Sequence, residues 1–192
     1  VFELKLQSEL GTIVISDQML NGLDNLGDMV EIRLKKANTI DNHPVYDVQL
    51  FANGESIAWH NPEAPVTILI PYVPSQEELQ NPDHIVVFYV DPQGQMIPVP
   101  NGHYDAQAGQ VIFTTKHFSQ YTIMYKSPAF TDLASVKWAQ ASIETLAAKG
   151  VIEGRNVHEF DPQSSITRAD FIVLLMRALE LPARISDAFA DV

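Results

Sequence analysis

The sequence predicts two structural classes in one chain: an all-β antiparallel sandwich over residues 1–126, then a small all-α helix-loop-helix unit over residues 128–188. Three observations predict it. Up to about residue 126, apolar and polar residues alternate in the two-residue rhythm of half-buried strands. Beyond "KSPAFTD" (Lys126–Asp132) the apolar residues recur at three- and four-residue spacing, the rhythm of an amphipathic helix. Finally, "FTDL" at Phe130–Leu133 returns as "FADV" at Phe189–Val192, fifty-nine positions later. Residues 189–192 therefore read as the start of a second, truncated copy of the helical unit. Repeats of this size bury their apolar faces by stacking on one another.

The strands come in order as "VFELKLQ", "GTIVIS", "DMVEIRLKK", "VYDVQLFANG", "PVTILIPY", "HIVVFYVD", "QVIFTT" and "SQYTIMY". Each is rich in the β-branched and aromatic residues that pack on a pleated surface. Turn chemistry separates them at Asn53-Gly54, Asp91-Pro92-Gln93-Gly94, Asn101-Gly102 and Ala108-Gly109. "SDQMLNGLDNLGD" is expected to hold a short helical turn and "VPSQEELQNPDH" a polar loop. About eight short strands so punctuated favour a sandwich or barrel. In the helical half, "DLASVKWAQASIETLAAKGVI" places Val136, Ile143, Leu146 and Ala147 on one face, with Gly150 closing the helix. "EGRNVHEFDPQSS" is a loop. A second helix follows, with Thr167 as N-cap, Asp170 answering it in a capping box, an apolar stripe of Phe171, Leu174, Leu175, Ala178 and Leu179, and Pro182 as its stop.

Composition excludes several classes. The 192 residues carry 24 acidic and 12 basic side chains, a net charge of −12, which disfavours nucleic acid and anionic membrane as partners. The acid excess is greatest in the β half, with fifteen acidic and six basic side chains before residue 128 against nine and six after it. Absence of cysteine excludes disulfides, thiolate metal sites and cysteine nucleophiles. No apolar run approaches the roughly 20 residues that span a bilayer. With no initiator Met and no signal peptide, the chain is expected to be a processed or excised fragment. The histidines at 43, 60, 84, 103, 117 and 158 show no zinc-binding spacing, and neither a metal nor another cofactor is expected. Glu77 and Glu78 read as solvated loop acids, "DPQGQ" as a hairpin turn rather than a calcium loop, and Trp59 as a buried strand residue.

One motif of the β half carries possible chemistry. The triplet His117-Phe118-Ser119 in "TTKHFSQYTIMY" resembles the cleavage motif of self-cleaving ZU5-type β domains. The resemblance implies that Ser119 attacks the Phe118 carbonyl with His117 as base, forming an ester that water then opens. The competing reading of the same residues is a structural corner, with His117 bonded to backbone and Tyr121 in the core.

The helical half resembles the S-layer homology family. The matching residues are Phe130 and Asp132, Trp138 with Ala139, Ile143, Gly150, Gly154, Phe160 with Pro162, and Ile166-Thr167-Arg168-Ala169-Asp170. The family usually writes the last stretch with Glu where this chain has Asp170. The resemblance implies a non-catalytic anchor that occurs in threes as a pseudo-threefold bundle. It also implies that the anchor binds secondary cell-wall polysaccharide, often pyruvylated, and so localises exported proteins to the bacterial cell wall or S-layer. Neighbouring modules are then partners too, and Arg168, Asp132, Trp138, Gly154 and Thr167 are the expected polysaccharide-binding residues. Arg168 sits in the first helical turn, where a cation typically costs ~0.3–1 kcal/mol against the helix dipole. A helix N-terminus with an arginine fork beside it suits a carboxylate or phosphate, and Trp138 could stack on a sugar face. The competing reading pairs Arg168 with Asp132 or Asp161 and puts Trp138 in the core.

Overall fold

The computed structural model describes residues 3–23, 26–27 and 29–181. The chain divides into two compact units, Val1–Ser127 and Pro128–Val192. Pro182 and the expected repeat start at Phe189–Val192 lie outside the described residues.

The first unit is a β-sandwich. Its elements are β1 (Glu3–Ser8), β2 (Gly11–Ser16), α1 (Asp17–Leu23), β3 (Val30–Ile40), β4 (His43–Ala52), β5 (Glu55–Ile57), β6 (Val66–Pro71), β7 (Ile85–Val90), β8 (Met96–Val99), β9 (His103–Asp105), β10 (Gln110–Thr115) and β11 (Gln120–Tyr125). One sheet runs β1-β2-β6-β10-β9. The other runs β3-β4-β11-β7-β8, with β5 on β4, and every pairing is antiparallel. The eight strands and the short helix read from the sequence are all present. The three additional strands, β5, β8 and β9, have only three or four residues each, too few to show a period. The expected loop after β6 holds two 3-10 turns, Glu78–Gln80 and Pro82–His84.

Alternation fixes which side faces inward. In β2 and β6 every second residue is buried, so Ile13, Ile15, Val66, Ile68 and Ile70 meet Val48, Leu50, Ile85, Val87, Tyr121 and Ile123 of the opposite sheet. Phe113 stands over Tyr121 in this core, ring centroids 4.8 Å apart. Trp59, expected as a buried strand residue, is half-buried against the same core and lies in the segment between β5 and β6. The β3–β4 hairpin turns at Asp41-Asn42, both at positive φ (49° and 65°), a two-residue turn whose twist matches the strands. At "DPQGQ" the Asp91 carboxylate accepts from the Gln93 and Gln95 N–H groups at 2.9 and 2.7 Å, an ordinary turn bond set.

The second unit holds a 3-10 turn (Leu133–Val136), α2 (Lys137–Ala148) and α3 (Arg168–Ala178). Both helices close in the same way. Gly150, at φ 68°, turns its N–H to the Ala147 carbonyl while the Val151 N–H reaches Leu146 at 2.9 Å. Glu180 takes the equivalent left-handed position at φ 51°, and the Leu181 N–H reaches Met176 at 3.0 Å. The second helix therefore ends through its own carbonyls, ahead of Pro182.

Candidate functional site

The residues singled out in the helical unit fall into two groups, a clasp and an open surface. The clasp joins residues 130–132 to the loop between the helices. Asp132 spends its carboxylate on backbone, accepting from the Phe160 N–H at 3.0 Å and the Asp161 N–H at 2.7 Å. These bonds, Phe160 first and then Asp161, hold the Asp132 carboxyl below the usual carboxylate range. The Thr131 N–H and hydroxyl both donate to the His158 carbonyl, at 2.9 and 3.2 Å. The Phe130 ring meets Phe160 at 5.5 Å. A Cβ on Gly154 would stand 2.5 Å from the Phe130 ring and 2.7 Å from the carbonyls of Asn156 and Glu159. The close approach that Gly154 permits is thus to its own module. Asn156 and the Arg155–Asp161 ion pair (3.0 Å) complete the loop. Sequence reasoning did not single out Asn156 or Arg155, although the Phe-x-Asp element that recurs at residue 189 marks the clasp they belong to.

Thr167 caps α3 as expected. Its hydroxyl oxygen accepts from the Asp170 N–H at 3.1 Å, and the Asp170 carboxylate accepts from the Thr167 hydroxyl and N–H at 2.7 and 3.0 Å. Those bonds, the side-chain one foremost, lower the Asp170 pKa. The box satisfies two backbone donors and sets a negative charge in the first turn, offsetting part of the cost of Arg168 there.

Arg168 projects from this capped turn, exposed, and makes no ion pair among the described residues. Both acids that the competing reading assigned to it are engaged elsewhere: Asp132 with backbone, Asp161 with Arg155. Trp138 is 89% exposed at the start of α2 and is not core. The stripe on α3 is open as well: Phe171 is 57% exposed, Leu175 and Leu179 are exposed, and no α3 residue is buried. Arg177 ties that helix to the interhelical loop through Glu153 at 3.0 Å.

In the β unit, His117, Phe118 and Ser119 occupy a corner. The His117 carbonyl accepts from the Tyr121 hydroxyl at 2.7 Å and the Thr115 hydroxyl at 2.9 Å. Tyr121 is 1% exposed. The His117 Nδ1 lies 3.4 Å from the Tyr121 hydroxyl, while Ser119 donates its hydroxyl to the Val90 carbonyl at 3.4 Å. Base and nucleophile are therefore each directed to another partner, and the corner arrangement accounts for all these bonds. Among the described residues no group of three or more His, Asp or Glu side chains is placed to hold a metal ion. No described helix is long and apolar enough to cross a membrane.

The second unit is thus a short helix pair whose loop is held by backbone bonds and whose helix faces are open. Residues 129–172 match the S-layer homology domain, a non-catalytic anchoring module. Amylopullulanase of Thermoanaerobacterium thermosulfurigenes is 31% identical over 113 residues, 58% of this chain and 6% of that protein. Endo-1,4-beta-xylanase A of Thermoanaerobacterium saccharolyticum is 28% identical over 108 residues, 56% of this chain and 9% of that protein. A cellulosome-anchoring protein of Acetivibrio thermocellus is 54% identical over 43 residues, 22% of this chain and 10% of that protein. The chain spans a tenth or less of the length of these relatives. The first two alignments are longer than Pro128–Val192, so they take in part of the β unit as well. No solved structure matches the chain.

Proposed function

We propose that this chain is the cell-wall anchoring part of an exported bacterial surface protein. Its S-layer homology domain binds secondary cell-wall polysaccharide, and its β unit is a spacer that displays a functional region lying elsewhere in the protein. The observation that carries the reading is Arg168: an exposed, always-charged fork on a capped helix start, with Asp132, Asp161 and Asp170 committed to other partners. A pyruvyl carboxylate on the polymer is the group it takes, and Trp138 offers an open ring to a sugar face. Asp132, Gly154 and Thr167 serve the same site by holding its backbone. The bare face of α3 is where neighbouring modules pack. The relatives support this reading by name, since one is an anchoring protein and two are polysaccharide-degrading enzymes.

Sedimentation with purified walls tests it. The chain, alone and extended by following modules, is expected to co-sediment with walls carrying the secondary polymer and to stay in solution with walls stripped of it. Equal retention by both would contradict the reading.

A further inference from the structure

The chain changes sheets twice at one corner of the β unit, and the two crossovers pair with each other. Residues 58–65 lead from β5 in one sheet to β6 in the other, and residues 116–119 lead back from β10 to β11. Between them His60 and His117 form an antiparallel bridge. On either side the Asn61 N–H donates to the Lys116 carbonyl at 2.8 Å and the Phe118 N–H to the Trp59 carbonyl at 3.2 Å.

The side chains make this junction titratable. The two imidazoles stack at 6.4 Å with planes 18° apart. His117 is half-buried, edge-on to Tyr89 of β7 at 4.9 Å and stacked on Tyr121 of β11 at 6.1 Å. Thr115 at the end of β10 bonds the His117 backbone. The titratable groups against His117 are thus His60, Tyr89 and Tyr121. Burial foremost, then the charge of His60, holds its pKa below the usual imidazole range.

We propose that the His60–His117 pair is an acid-released latch, closing the two crossovers while His117 is neutral and parting them when His117 takes up a proton. A charge on His117 is partly cut off from water and lies against a second imidazole that disfavours it. The sign follows from linkage. A lowered folded-state pKa stabilises the closed junction fully above about pH 6.5, and that contribution is lost as the pH falls through the folded value. Release loosens Trp59 and Phe118, whose rings lie 6.5 Å apart. It leaves the Phe113–Tyr121 core closed.

Amide hydrogen exchange on the full chain, corrected for intrinsic rates, tests the latch. Protection at Asn61 and Phe118 is expected to fall as the pH drops below about 6.5, by up to about tenfold per pH unit, with protection at Phe113 constant. His117→Gln should abolish that dependence. His60→Gln, which leaves the bonds of the corner in place, should reduce it. The proposal is overturned if protection at Asn61 and Phe118 is flat in the parent chain, if it falls only together with Phe113, if His117→Gln keeps the parental dependence, or if His60→Gln leaves it untouched. Should His117→Gln fail to fold, the His60→Gln comparison alone decides.

Discussion

The two units of this chain handle apolar residues in opposite ways. The sandwich turns Phe113, Ile68, Leu50 and Tyr121 inward and seals them between two sheets. The S-layer homology domain buries Leu133 and Val151 around its clasp but leaves Phe171, Ile172, Leu175 and Trp138 in the open. The first closes its apolar core on itself, whereas the second leaves the faces of its helices open.

The comparison can be broken most forcefully through its cores. Phe113→Ala is expected to cost about 3–5 kcal/mol in denaturant unfolding of the sandwich, because a buried ring leaves a cavity. Phe171→Ala in the same chain should fall within about 0.5 kcal/mol, as an exposed residue does. If a further S-layer homology module is appended and packs on α3, the Phe171 effect should grow; a large effect in the chain alone would mean the face is already covered. Gly154→Ala comes next. The added methyl meets Phe130 and two carbonyls, and such overpacking typically costs about 1–3 kcal/mol, read as loss of helical signal while the sheet signal stays.

Acid distinguishes the units more gently. Asp132 and Asp170 have lowered pKa values in the folded state, so their contribution is present above about pH 4 and is lost as pH falls through those lowered values. The helical signal should therefore fade in strong acid, and the step should shrink in the Asp132→Asn, Asp170→Asn double variant. The smallest expected effect belongs to Ser119. With its hydroxyl on the Val90 carbonyl, the parent and Ser119→Ala should both give one intact mass; two fragments meeting at Phe118–Ser119 in the parent alone would restore the cleavage reading.

Much of this was legible in the residues. Alternation located the eight longer strands, and "SITRAD" announced the capping box on α3, because both signals are local. The short strands β5, β8 and β9 were not, since three or four residues held by their neighbours carry no period of their own. Arg168 could be singled out from its place beside Thr167, but its lack of an ion pair among the described residues could not: that depended on Arg155 taking Asp161 and on distant backbone taking Asp132. Gly154 was visible as an expected binding residue, while its packing against the Phe130 ring was visible only in three dimensions.

The central claim is that the Arg168 guanidinium receives negative charge from the wall polymer. Its most direct test is the affinity of the chain, extended by following modules, for purified secondary polymer before and after Arg168→Ala. Loss of a charge-assisted bond predicts affinity weaker by about tenfold or more, with the fold unchanged. Equal affinity in the two proteins would contradict the account.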